Sequence, residues 1–288
     1  MINKLSILDL CTIHPDEEPR DTVRRTADAA RHFEERGYTR IWYAEHHNTG
    51  SVLSTSPAVM IAHVANHVDS IRLGSGGVML PNHSPLQVVE DFALLEAMAP
   101  GRIDLGLGRA PGTDPVTAFA LRRSMEAIEK DDFAQQMDEL LHYFDRDFPG
   151  EHPFRKITAT ASRDLLPEIF VLGSSTGGVQ VAIDRGLGFA FAAHISPELA
   201  EPILNVYKDR FTASRRYEAP YSILALIAIV ADSKEEAEYL AGPAQLQFAR
   251  MASGRITPLV TAEEAADHLW TPAEEAARRQ NAAKFFVG

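Results

Sequence analysis

The chain has 288 residues and a single cysteine, Cys11, so it can form neither an intrachain disulfide nor a cysteine-based metal site. That economy fits a reducing cytoplasm. No stretch approaches the roughly 18 consecutive apolar residues that a membrane span requires. Basic clusters are missing too. Forty acidic residues outnumber 28 Lys and Arg, for a net charge of −12, which disfavours nucleic acid as the main partner. The densest basic runs, Arg24-Arg25, Arg122-Arg123, Arg215-Arg216 and Arg278-Arg279, sit in helical patterns with acids nearby and read as solvated faces. The opening MINKLSILDLCTI runs into the charged DEEPRD, so it reads as a first strand rather than a signal peptide. No glycine follows that strand, where a doubly wound sheet would usually carry its dominant phosphate loop.

What is present is alternation. Apolar strand candidates fall at about 4–10, 39–44, 71–76, 102–107, 168–173, 188–193 and 222–231. Several are continuous apolar runs (IFVLG, FAFAA, SILALIAIVA), the pattern of strands buried on both faces of a parallel sheet. Helix signals lie between them: Asp21 as a cap with Gly37 as the stop, Ser56-Pro57, Ser175 to Gly186, Ser196-Pro197 and Ser233-Lys-Glu-Glu. Seven such units predict a single-domain (β/α)8 TIM barrel spanning 1–288. Insertions are expected at about 109–167, with one or two extra helices, and at about 253–283. The eighth strand and its helix are expected to be lacking at the C-terminus.

The chemistry-bearing residues collect just after strands. Ile71–Asp114 holds two strand candidates running into the glycine-rich turns Gly74-Ser75-Gly76-Gly77 and Gly108-Arg109-Ala110-Pro111-Gly112. In parallel sheets ligands lie at the carboxyl ends of strands, where glycine lets backbone come close. Ala44-Glu45-His46-His47-Asn48 follows the second strand. A metal reading of the two histidines lacks a clear third ligand, so no metal site is expected. Two readings remain for them: a hydrogen-bonded structural pair, or proton handling near neutral pH. The run Gly173-Ser174-Ser175-Thr176-Gly177-Gly178 precedes a helix and offers hydroxyls and free amides either to an anion or simply as a cap. Trp42, Phe189 and Phe191 read as core, and Cys11 as a small buried side chain.

Taken together, RIWYAEHHN, IRLGSGGVMLPNHSPLQVVEDF, PGRIDLGLGRAPGTD and VLGSSTGGVQVAIDRGLGFAFAAH resemble the bacterial luciferase-like family of flavin-dependent monooxygenases. The resemblance runs from residue 4 to the end. It implies a reaction in which reduced FMN, supplied by a separate flavin reductase, meets dioxygen to give a C4a-peroxyflavin that oxidises a small organic substrate. It implies that His46 handles a proton beside the flavin, with His47 or Asn48 as hydrogen-bond support. Gly76 and Gly77 match a non-proline cis peptide under the flavin ring. Arg109 matches an arginine that reaches the flavin phosphate, the alternative being an ion pair with Asp104 or Asp114. Ser174, Ser175 and Gly178 fall in the matching phosphate loop, Gly178 through backbone only. Gly108 stands where the bioluminescent enzyme has its reactive cysteine, and Ser84 where it has a histidine, so light emission is not the expected activity. A cytoplasmic homodimer meeting through helices near 56–68 and 85–98 is implied as well. The same barrel family also hosts deazaflavin-dependent oxidoreductases, and a non-catalytic FMN-binding protein is the third reading.

Overall fold

In a computed structural model, residues 4–255 and 257–288 are described. Seven parallel strands form one sheet in sequential order: β1 (Ser6–Asp9), β2 (Arg40–Tyr43), β3 (Arg72–Met79), β4 (Ile103–Gly108), β5 (Glu168–Gly173), β6 (Gly188–Ala192) and β7 (Ser222–Ala225). Strictly sequential parallel order, each strand returning through a helix, curls the sheet into a nearly closed barrel. Among the described residues no strand joins β7 to β1. The outer layer starts with α1 (Pro19–Glu35), α2 (Pro57–Val64) and α3 (Pro85–Met98). The 109–167 insertion carries α4 (Pro115–Arg122), α5 (Met125–Glu129) and α6 (Phe133–Asp145), one helix more than expected, with α6 packed beside α3. Next come α7 (Thr176–Arg185) and α8 (Ala200–Arg210).

The stretch read as one strand over 222–231 divides at Leu226. Its first part, β7, pairs with β6; its second, β8 (Ile227–Ile229), pairs in parallel with β9 (Phe285–Val287). The apolar FFVG run is thus itself strand-forming. Between β8 and β9 lie α9 (Lys234–Ala252), α10 (Ala262–Ala266) and α11 (Pro272–Asn281). Two helix starts also differ from expectation. Asp21 lies inside the first turn of α1, because Pro19 at the first helical position sets the start earlier. Ser196-Pro197 opens a short 3-10 turn, and α8 begins only at Ala200.

Side-chain alternation along the strands builds two cores. Ile41, Leu73, Ile103, Leu105, Ile169, Val171, Phe189 and Phe191 point outward and join Val64, Val89, Phe92 and Ile183 of the helices. The alternate residues fill the barrel. There Trp42, Phe170 and Ala190 cluster with Leu172, Tyr221 and Ile223, Trp42 and Phe170 meeting edge to face at 5.2 Å.

A charged plug completes the interior. Asp104, fully buried, accepts from Trp42 Nε1 at 2.9 Å and from Arg72 Nε at 2.8 Å, and lies 3.4 Å from Arg40 Nη1. Arg40 in turn donates to the Tyr221 hydroxyl at 2.6 Å. Gly74 makes room for this plug, since a Cβ there would lie 2.6 Å from the Asp104 side chain. The plug anchors the amino ends of the strands, leaving the carboxyl ends to carry loops.

Candidate active site

Five strand ends open on one mouth. Beyond β2 come Ala44, Glu45, His46 and His47; beyond β3, Leu80 to His83; beyond β4, Arg109 to Asp114; beyond β5, Ser174 to Gly178; beyond β6, Ala193 and His194. Parallel register brings segments more than a hundred residues apart in sequence to this one end of the sheet.

The peptide between Gly76 and Gly77 is cis, as the resemblance implies. The register of β3 against β4 shifts between Gly76 and Val78, a bulge that leaves Gly77 unpaired. A Cβ on Gly77 would lie 2.7 Å from the Gly106 carbonyl, so the two strands come together only because this residue has no side chain.

His46 Nδ1 lies 3.4 Å from the Gly112 carbonyl, and its backbone amide donates to Ser54 O at 3.1 Å. A carbonyl can only accept, so this contact selects the Nδ1–H tautomer and leaves Nε2 as the free base. Burial holds the His46 pKa below its usual value, keeping the ring neutral at physiological pH. A second imidazole, His194, repeats the pattern with Nδ1 at 3.3 Å from Ala225 O and a pKa lowered by burial, the Lys284 charge working in the same direction. Sequence reading passed over His194, although a histidine one residue beyond a buried strand's last carbonyls was the available signal.

His47 does not act as a free base. Its Nε2 lies 2.9 Å from Oε1 of Glu45, a fully buried carboxylate. His83 Nε2 reaches both oxygens of the same carboxylate at 2.9 Å. The structure thus brings Glu45 to two histidines, a juxtaposition that sequence spacing did not offer. Among the described residues no three His, Cys, Asp or Glu side chains are grouped so as to hold a metal ion.

Arg109 is half exposed and lies 3.4 Å from Asp131, rather than pairing with Asp104 or Asp114. Asp104 is committed to the barrel plug, and Asp114 caps α4 while accepting from Asn48 Nδ2 at 2.9 Å. Arg109 also reaches across to the start of α7, its Nη1 3.2 Å from where a Gly177 Cβ would stand. Ser175 is the N-cap residue of α7, yet its hydroxyl makes no capping bond, so the first-turn amides stay available. Gly178 is buried, a Cβ there lying 3.2 Å from Leu172 O, so it seats α7 against β5. A guanidinium beside a helix N-terminus with uncommitted serine hydroxyls matches the charge and geometry of a phosphate.

The luciferase-like monooxygenase family matches residues 4–285. The chain belongs to this family. Family relatives include a luciferase-like monooxygenase of Escherichia coli, 39% identical over 98% of this chain and 83% of that protein. An N-acetyl-S-alkylcysteine monooxygenase of Bacillus subtilis is also 39% identical, over 82% of this chain and 70% of its own length. The crystal structure of apo-MsnO8 superposes with a TM-score of 0.87 at 30% identity, covering 99% of this chain and 85% of that one. Structures below 25% identity share the fold alone. They include a diketocamphane monooxygenase constituent in complex with FMN, at TM-score 0.69, and an F420-dependent secondary alcohol dehydrogenase, at 0.62.

Proposed function

We propose that this family member is a flavin-dependent monooxygenase that uses reduced FMN and dioxygen to oxidise a small organic substrate. The observation that carries this reading is the meeting of Arg109 with the N-terminus of α7 at the mouth that also holds His46. Arg109, the Ser174 and Ser175 hydroxyls and the Gly178 amide hold the phosphate. Gly76 and Gly77 would lie beneath the ring, where a Cβ at either would strike Leu8 or the Gly106 carbonyl and displace the strand. Reduced FMN, when bound, supplies the electrons that activate dioxygen. The protein's own part is to orient the ring, exclude water and accept a proton at His46 Nε2. His47 supports this from its bond to Glu45.

A separate reductase supplying reduced flavin, a cytoplasmic setting and a homodimer complete the proposal. Val59, Leu94 and Met98 on α2 and α3 are 70%, 57% and 52% exposed, apolar area suited to a partner subunit. A second reading is a deazaflavin-dependent oxidoreductase, favoured by the same anion site, since F420 also carries phosphate.

Anaerobic titration with reduced FMN and with reduced F420, each followed by mixing with dioxygen, separates the two. Tight binding of reduced FMN, with reoxidation slower than that of free flavin, is the expected result. Preference for F420 with no oxygen-coupled product overturns the monooxygenase reading. Binding of FMN with no turnover of any organic sulfur compound, aldehyde or ketone leaves a flavin-binding protein without catalysis.

A further inference from the structure

Buried Glu45 gathers donors from its own loop and from the end and following loop of β3. Its carboxylate accepts from Met79 N at 3.0 Å, His47 Nε2 at 2.9 Å and His83 Nε2 at 2.9 Å. Asn82 Nδ2 lies 3.5 Å from Oε1 and donates to the Pro111 carbonyl at 2.8 Å. Arg122 Nε donates to the Asn82 carbonyl oxygen at 3.0 Å, tying in α4. One buried charge therefore fastens the loop after β3 and, through Asn82, the loop after β4.

That second loop carries Gly112, whose carbonyl faces His46 Nδ1 at 3.4 Å and His47 N at 3.4 Å. Gly112 has φ +65°, and a Cβ there would lie 2.9 Å from the Glu45 backbone oxygen and 3.0 Å from Met79 Cγ. The residue whose carbonyl selects the His46 tautomer thus packs against Glu45 and Met79 and is bonded by the His47 amide.

We propose that Glu45 is a positioning residue for His46: through Asn82, His47 and the Met79 amide it fixes the Gly112 carbonyl and with it the tautomer of the His46 ring. The alternative is a purely structural carboxylate that stabilises the mouth without setting the state of His46. The charged and titratable groups around the pair are His47, His83 and Glu45 on one side and His194 on the other. Removing the Glu45 charge takes away an attraction that favours protonated His46, and so lowers its midpoint further.

The test reads ring nitrogens, not turnover. Protein labelled with 15N-histidine is examined by NMR across pH for the natural chain, Glu45→Gln and Asn82→Ala, the His46 signals being assigned from a His46→Gln spectrum. The natural chain is expected to show one tautomer, with the proton on Nδ1. Glu45→Gln is expected to lose that single tautomer and titrate at lower pH. Asn82→Ala leaves the buried charge in place and is expected to lose the tautomer preference without the electrostatic fall in midpoint. A folded Glu45→Gln protein with His46 still wholly Nδ1–H overturns the proposal. If Glu45→Gln does not fold, Asn82→Ala decides alone: an unchanged His46 ring overturns the proposal, and a mixed one sustains it. The consequence for turnover rests on the proton role given to His46 above, and the two fail separately. Loss of the tautomer in Glu45→Gln with undiminished oxygenation upholds the positioning role and removes His46 from the reaction.

Discussion

Glu45 and Glu274 look alike side by side. Each is almost wholly buried, at 0% and 2% exposure, each takes a histidine Nε2 near 3 Å, and each has a pKa below the usual 4.5. They differ in where their partners come from. Glu274 closes a capping box at the start of α11, accepting from Thr271 N and Oγ1, with His268 six residues back and the Arg255 guanidinium as further partners. Apart from His47, Glu45 draws on residues 34 to 38 positions away, at the end of β3 and in the loop that follows it. Glu45 also lies deep, where burial is the largest influence on its pKa and acts against ionisation; hydrogen bonds and the His83 charge overcome it. Glu274 lies under a thin cover, and its bond from the Thr271 backbone dominates, setting a pKa of about 2. A local carboxylate stabilises one helix; a long-range one holds loops of different strands in register with each other.

The strands behind them differ in the same way. β2 and β4 are buried at every position, whereas β1 and β7 expose alternate residues and β8 exposes Ala228. The active-site loops grow from β2 to β6, the strands with no exposed residue, where a carboxylate can be held with little competition from water.

Four measurements press on this contrast. The largest effect is expected from Asp104→Ala, the other long-range buried carboxylate. It strands Arg40 without its counter-charge, leaves Arg72 only the half-exposed Glu168 at 3.3 Å, and should cost about 3–5 kcal/mol in a denaturant titration. Survival of that variant with a loss below about 1 kcal/mol would mean that the plug is hydrated and carries little stability. Glu45→Ala should follow at roughly 2–3 kcal/mol, the scale of buried donors left without their acceptor. Glu274→Ala should cost about 1 kcal/mol, the scale of a lost helix cap, with hydrogen-exchange protection falling only around α11. Equal costs for Glu45→Ala and Glu274→Ala would erase the distinction drawn here.

The smallest effect concerns acid. Both carboxylates have folded pKa values below 4.5, so each contributes stability that is present above 4.5 and lost as pH falls toward the folded value. For Glu274 that window runs from 4.5 down to about 2. Thermal melts between neutral pH and pH 3 should therefore show a shallower acid decline in Glu45→Gln and in Glu274→Gln than in the natural chain. An unchanged slope in either variant would show that its carboxylate does not contribute to acid sensitivity.

Much of the fold was legible because its cues are local. The runs IFVLG and FAFAA read as buried strands and are β5 and β6; Gly186 stops α7 with φ +59° as a helix-ending glycine should. SILALIAIVA misled as one strand, because hydropathy records burial but not which neighbour a strand pairs with, and its halves pair with β6 and β9. The site was legible as motifs rather than as contacts. The alternative for Arg109, an ion pair with Asp104 or Asp114, falls away because the fold employs both carboxylates elsewhere. Glu45 stood in the motif beside His46 and was passed over, since nothing in its neighbourhood along the chain announces Met79, Asn82 and His83.

By itself, then, the sequence determined the alternation of strand and helix, the parallel barrel class and the places where backbone must do without a Cβ. Those follow from periodicity and steric rules that act over a few residues. Only the tertiary structure decided that Arg109 meets the start of α7, that Glu45 gathers two histidines and an amide, and that Gly112 faces His46. Such meetings depend on strand register and on a bulge at Gly77, and register is set by the packing of the whole sheet, which no short window of sequence contains.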